Sequence, residues 1–217
     1  MMKLYYIPTT RAMRPRWLLE ELGLDYELIY VDMAMTEQAD YRRQLHPLGK
    51  VPVWVDDRVT LYESSAICTY LADRYLEKGF VPNLNSPSRG HYYQWLFYAG
   101  QTLETPVEQY MFHILPNLPE KMLPKAARTH VDPQAALEWF ERACQPLNDW
   151  LRDREYLIDN RMSAADVVLG GVLVWALKLG MMERDSSVKT YLLRLMKRPA
   201  YQRADEDAYA EVAPPKS

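Results

Sequence analysis

Every run in this chain that reads as a β-strand ends by Tyr62, and that asymmetry constrains the fold more than any other feature. Lys3-Leu4-Tyr5-Tyr6-Ile7 is a short aromatic and β-branched run stopped by Pro8, and Tyr26 to Val31 is a second one. Between them Trp17, Leu18, Glu21 and Leu22 fall at helical spacing, and Gly23 is a natural C′ residue. Two parallel strands need a crossover, usually a helix, so these three segments predict a βαβ unit. Thr36 to Leu45 predicts a weaker, more polar helix. Val53-Trp54-Val55 and Val59 to Tyr62 flank Asp56-Asp57-Arg58 as a hairpin. Glu63 to Glu77 then predicts a helix with Ala66, Ile67, Tyr70, Leu71 and Tyr75 on or near one face.

The segment Phe80 to Ser88 is rich in Pro, Asn and Ser and reads as a linker. Beyond it the chain predicts only helices, at Arg89–Glu108, Gln134–Arg152, Ala164–Gly180 and Ser187–Met196. Pro116, Pro119, Pro124 and Pro133 interrupt whatever helix forms in between. Strands followed by runs of helices predict two domains. The first is an α/β domain of order βαβαββα over residues 1–79, the linker is 80–89, and an all-α domain covers 90–217. The run Arg203-Ala204-Asp205-Glu206-Asp207 predicts a solvated tail.

Composition removes several functions. The 26 Lys and Arg residues are outnumbered by 29 Asp and Glu, so nucleic acid is not an expected partner. The longest apolar run, Val167 to Leu177, is 11 residues and falls short of the roughly 20 that span a bilayer, so it predicts a buried helix and no membrane partner. Two distant cysteines, Cys68 and Cys144, make no disulfide framework, and the first residues lack the features of a signal peptide. A reducing, cytoplasmic setting is the expectation. His46, His91, His113 and His130 are scattered, so no metal site is expected. A G-x-S-x-G elbow, a P-loop and a G-x-G-x-x-G turn are all missing from the sequence.

Three short segments carry chemistry. In His46-Pro47-Leu48-Gly49-Lys50-Val51-Pro52, a proline stands directly before a strand, where a cis bond is accessible. A cis turn would leave the Val51 N–H and C=O facing outward, able to pair with an extended peptide; a plain loop proline is the alternative. In Glu63-Ser64-Ser65-Ala66-Ile67, Ser64 or Ser65 suits the N-cap of a helix whose free N–H groups attract a carboxylate. Glu63 beside it suits an ammonium, so together they describe an α-amino acid site, or else a capped, solvated helix start. The loop Pro8-Thr9-Thr10-Arg11-Ala12-Met13-Arg14 sets hydroxyls and a guanidinium at a helix start, an environment for a thiolate or simply ordinary N-caps.

Together with Met162-Ser163-Ala164-Ala165-Asp166-Val167, and with Arg11 to Gly23 as a whole, these segments resemble the cytosolic glutathione S-transferases over essentially the whole chain. The stretch Arg11-Ala12-Met13-Arg14-Pro15-Arg16-Trp17-Leu18-Leu19-Glu20-Glu21 is similar to a bacterial and fungal subgroup with a Ser/Thr-Arg-Ser/Ala-x-Arg loop. The resemblance implies a thioredoxin-like α/β domain binding glutathione as co-substrate, an all-α domain carrying a pocket for a small hydrophobic electrophile, and a homodimer. It implies that Val51 pairs its backbone with the cysteinyl residue beside a cis Pro52, and that Glu63 and Ser64 hold the γ-glutamyl end. Lys50 is implied at the glycyl carboxylate and Glu104 (or Gln101) at the γ-glutamyl end. The family's Tyr, Ser or Cys is replaced here, so Thr10, Thr9 and Arg11 are the candidates for contacting the sulfur. The implied activity is conjugation of glutathione to an electrophile. A glutathione-dependent disulfide oxidoreductase and a non-catalytic glutathione-binding protein are the alternatives.

Other features read as structure. Ser163 and Asp166 form an S-x-x-D capping box, with Met162 and Val167 as its hydrophobic staple. The aromatics from Tyr92 to Tyr98, with Met111 and His113, read as core or as pocket lining.

Overall fold

The computed structural model describes residues 1–114, 132–182 and 184–206. The chain divides into two compact units, one of residues 1–83 and 194–217 and one of residues 84–193.

In the first unit β1 (Lys3–Tyr6) pairs in parallel with β2 (Glu27–Tyr30) and antiparallel with β3 (Val53–Val55), and β4 (Thr60–Tyr62) closes the sheet beside β3. The order β2-β1-β3-β4 is the thioredoxin-like arrangement the resemblance implies. The crossover is α1 (Met13–Leu22), which stops where Gly23 takes φ 62° and ψ 43°. The N–H groups of Gly23 and Leu24 return to the carbonyls of Glu20 and Leu19, a Schellman closure that a side chain with a Cβ would disfavour.

Side chains alternate across the sheet, so Leu4 and Tyr6 share one face and Tyr5 takes the other. On the first face Leu4, Trp54, Trp17, Leu18, Ile67 and Leu71 are fully buried between the strands, α1 and α4 (Ser64–Arg74). Arg16 of α1 lies 5.0 Å from the centre of the Tyr6 ring. On the second face Val31, Tyr41 and Val53 gather Tyr5, Ile29, Leu45 and Val51 around them. Each such buried side chain contributes roughly 1.5–3 kcal/mol, so these two layers hold the sheet.

The helix expected over 36–45 is two shorter ones, α2 (Met33–Glu37) and α3 (Ala39–Gln44), parted where Gln38 takes extended φ −63° and ψ 141°. Asp32 caps α2, its carboxylate accepting the Met35 N–H at 2.7 Å. The β3–β4 hairpin turns about Asp56, whose side chain is fully buried. Its two oxygens accept from the Arg58 and Val59 N–H groups, the Trp54 indole, the Tyr70 hydroxyl and the Arg74 guanidinium, which ties the hairpin to α4.

The expectation of a solvated tail from Arg203 does not hold for the described residues. Pro199 to Asp205 form a helix, α10, on the outer side of α1. Tyr201 stacks edge-on against Trp17 at 5.0 Å, and Ala204 is completely buried. Arg198 grips the Glu21 carboxylate with two bonds of 2.6 and 2.7 Å, and Arg203 meets Glu20 at 2.7 Å. A proline in the first turn starts this helix, and Ala200, Tyr201 and Ala204 form its apolar stripe. The charged residues around them mask that stripe in the sequence.

The second unit is helical: α5 (Ser88–Phe97), α6 (Glu104–Ile114), α7 (Pro133–Leu151), α8 (Ala164–Lys178) and α9 (Ser187–Met196), which runs on past its boundary. The single helix expected over 89–108 is α5 and α6 joined by a π-helical turn at Tyr98–Leu103. Most of the Pro-interrupted stretch, residues 115–131, lies outside the described residues. The apolar run is a buried helix as expected: α8 is buried on every side along most of its length. Its capping box is present, and Asp166 has a second role. Its carboxylate accepts from the Ser163 N–H and hydroxyl (2.8 and 2.6 Å), the Leu157 N–H (2.9 Å) and the Tyr191 hydroxyl (2.9 Å). Tyr92 and Trp95 are core residues, and the Tyr98 hydroxyl donates to the Ala143 carbonyl. His113 is exposed.

Candidate functional site

Strand direction brings the three predicted segments to one end of the sheet. Because β1 and β3 are antiparallel, the loop that leaves β1 after Tyr6 lies where β3 begins, after Val51-Pro52. Because β3 and β4 are antiparallel, β4 ends at the same place and hands over to Glu63 and α4. Segments well separated in sequence thus share a single edge, as a condition of the topology.

The first loop is closed by Thr10. Its hydroxyl donates to the Ile7 carbonyl at 2.7 Å and accepts the Ala12 N–H at 3.3 Å. A hydroxyl has one proton, so Thr10, expected as a donor to sulfur, has that proton engaged in holding the loop. Thr9 differs on each count. It is exposed, its hydroxyl makes no hydrogen bond among the described residues, and its φ is 61°. A β-branched residue in that region is an outlier of the kind that collects at functional positions. Arg11 follows in the turn, its carbonyl accepting the Arg14 N–H at 3.1 Å.

The second segment is a braced turn. Gly49 has φ +60°, and a Cβ there would stand 2.3 Å from the Thr36 carbonyl oxygen, so only glycine fits. The Gly49 N–H bonds the His46 carbonyl, and the Leu48 N–H bonds His46 Nδ1. That bond requires an unprotonated Nδ1, and burial likewise pushes the His46 pKa down, with Glu63 raising it and Lys50 lowering it further. The Tyr41 hydroxyl donates to the Lys50 carbonyl at 2.9 Å, and burial raises its pKa to about 12. This bracing presents Val51, half-buried, ahead of a cis Val51–Pro52 bond, while the Lys50 side chain is exposed.

The third segment corrects the expected cap. Ser64 is the first residue of α4 rather than its N-cap; Glu63 holds the cap position at φ 73° and makes no side-chain cap bond. The first-turn N–H groups of Ser64, Ser65 and Ala66 therefore have no acceptor among the described residues, and they point a positive dipole end outward. Glu63 is exposed and Ser64 is 4% exposed. Behind Ser64 stands Arg14 of α1, 2% exposed, its Nη1 donating to Ser64 Oγ at 3.4 Å. An anion fits this helix start and a cation fits Glu63.

Glu104 lies in the second unit, buried at the start of α6. Both cysteines are buried as free thiols, and burial pushes Cys68 up to about 12, as burial with Glu141 does Cys144, which disfavours the thiolate at neutral pH. Tyr6 is core, and Tyr5 packs edge-on against Tyr41. A cavity of about 540 Å³ in the second unit, lined by Tyr110, Phe140, Cys144, Met181 and Met182 among others, includes none of the predicted site residues. Among the described residues no group of His, Cys, Asp or Glu could hold a metal, and no helix is long and apolar enough to cross a membrane. In the sequence Arg14 stands out only as part of a motif. Its spacing of three and four from Trp17 and Leu18 is the signal that it faces inward.

Residues 10–74 match the family model described as the glutathione S-transferase N-terminal domain. Over 210 residues the chain is 30% identical to glutathione S-transferase GstA of Escherichia coli O157:H7, covering 94% of this chain and 96% of that protein. A solved glutathione transferase from Methylococcus capsulatus is similar at 31% identity with a TM-score of 0.78, over 96% of this chain and 98% of that one. A sphingomonad glutathione S-transferase complexed with glutathione gives 26% identity and a TM-score of 0.79, over 96% of this chain and 100% of that one. This chain belongs to the glutathione S-transferase family.

Proposed function

We propose that the protein is a glutathione transferase that activates glutathione as its thiolate and conjugates it to a small hydrophobic electrophile. The observation that carries this reading is the meeting, at one sheet edge, of a strand entry at Val51, an anion-seeking helix start at Ser64 and an exposed hydroxyl on Thr9. Val51 pairs its N–H and C=O with the cysteinyl residue as an added strand. Ser64 and the open α4 N-terminus take the γ-glutamyl carboxylate, and Glu63 takes the ammonium. Lys50 reaches the glycyl carboxylate. Glutathione supplies the nucleophilic sulfur, which bonds to the electrophilic carbon while the leaving group departs with its bonding pair and the thiol proton goes to water.

Thr9 donates its hydroxyl proton to that sulfur, with the Arg11 backbone beside it, and so favours the thiolate at neutral pH. Thr10 keeps the loop in the conformation that exposes Thr9. The electrophile pocket belongs to the all-α region, residues 90–217. The assembly is a homodimer in the cytoplasm, and the chain falls with the bacterial and fungal subgroup that has a Ser/Thr-Arg-Ser/Ala-x-Arg loop.

Turnover of a chlorodinitrobenzene with glutathione tests the activity, and the pH dependence of kcat/KM tests the donor. Thr9→Ala moves the thiol limb of that profile to higher pH, by about one unit for a hydrogen bond worth about 1.4 kcal/mol to the thiolate. Thr10→Ala chiefly lowers thermal stability. A shifted limb in Thr10→Ala and an unchanged one in Thr9→Ala would reverse the assignment. Reduction of glutathionyl disulfides without conjugation would replace transfer by the oxidoreductase reading.

A further inference from the structure

Arg14 has no part in the contacts assigned above, yet it is buried at the point where the amino acid end of the ligand is held. It comes from the first turn of α1 and reaches across fifty residues of sequence to Ser64 Oγ. The guanidinium therefore meets the first turn of α4 from its buried side.

The chemistry of the pair has a direction. A guanidinium only donates, so Ser64 Oγ must accept from it. A serine oxygen engaged in this way keeps its own proton for another acceptor, and the charge behind it makes that proton a stronger donor. The N–H groups of Ser64, Ser65 and Ala66 open at the same helix start, so the hydroxyl proton and the helix dipole address one anion together. A buried guanidinium delivers its charge through a medium of low dielectric, where water screens it little.

We infer that Arg14 is a positioning residue for substrate recognition: acting through Ser64, it makes the α4 N-terminus selective for a ligand with a free α-carboxylate at its γ-glutamyl end. The inference rests on the proposed glutathione site and adds to it the origin of carboxylate selectivity. It also explains why Ser64 stands inside the helix rather than at its cap, since a capping serine would turn its oxygen to the N–H groups of its own first turn.

The test compares glutathione with its analogue lacking that single carboxylate, 4-aminobutyryl-cysteinyl-glycine, by calorimetric titration. Wild-type protein is expected to prefer glutathione strongly. In Arg14→Met the preference ratio falls about tenfold, as for loss of one charge-assisted hydrogen bond, while affinity for the analogue stays within about twofold. In steady-state assays with varied glutathione, KM for glutathione rises and kcat changes little. Arg14→Lys restores charge without the planar fork and recovers part of the ratio; it also serves as the test variant if Arg14→Met does not fold, with a fall of about threefold expected. Equal weakening of both ligands, or an unchanged ratio, would make Arg14 a structural residue and overturn the inference. Wild-type protein that binds both ligands equally would instead overturn the Ser64 site itself.

Discussion

Replacing Asp56 by asparagine removes one negative charge from a carboxylate that takes five donors and has no exposed side-chain surface. Burial alone would raise its pKa, but the bonds from the Arg58 N–H, the Trp54 indole, the Val59 N–H and the Tyr70 hydroxyl bring it down from 3.8 to about 2. A carboxyl whose folded pKa is depressed stabilises the fold above its unfolded pKa, and that contribution is lost as pH falls through the folded value. The window is therefore pH 3.8 down to about 2, and the shift is worth about 2 kcal/mol. The new amide would also set an N–H₂ group against donors that need an acceptor, adding about 1–3 kcal/mol. Asp56→Asn is expected to lower stability by about 3–5 kcal/mol at neutral pH, and the gap narrows on acidification through that window. Urea unfolding at a series of pH values reads the gap, and amide exchange over residues 53–62 reads the hairpin itself. A gap that does not change with pH would refute the ionic reading. So would unchanged exchange in the hairpin.

Gly49→Ala places a methyl against the Thr36 carbonyl in a left-handed conformation, so the turn must move. It should cost at least about 2 kcal/mol in thermal unfolding and weaken glutathione binding through the displaced Val51. Asp166→Ala leaves the Leu157 and Ser163 N–H groups buried without an acceptor and should cost about 3 kcal/mol or more by urea unfolding, with Asp166→Asn less severe.

The strands and most helix ends are legible in the sequence because their signals are local: alternation, helical spacing, Gly23, and the Ser163–Asp166 box. The site is legible only as three separate segments, each with an equally good structural reading, because their meeting depends on strand direction that no segment states. The roles within the loop are hidden for a different reason. Thr9 and Thr10 are chemically the same, and only the folded loop separates them, through the bonds of Thr10 to Ile7 and Ala12 and the exposure and positive φ of Thr9. Ser64 reads as a cap because the true cap position is held by Glu63 at positive φ, where sequence preference would put glycine or asparagine. The helix at 199–205 is lost among charges that themselves bind to α1.

The docking of α10 on α1 makes the first unit discontinuous in sequence, with consequences for the order in which a nascent chain acquires its structure. The sheet and α1 are complete in the polypeptide by residue 83, yet the side of Trp17 and Glu21 that α10 covers stays open until residues 198–205 have been synthesised. The whole of the second unit, residues 84–193, emerges in that interval. The N-terminal unit can therefore be completed only after residues 84–193 have been made. An isolated fragment of residues 1–83 would keep Val51, Glu63, Ser64 and the loop of Thr9. It would present Glu20 without Arg203, Glu21 without Arg198 and Trp17 without the Tyr201 ring, so the partners of one face of α1 are all supplied from the far end of the described chain.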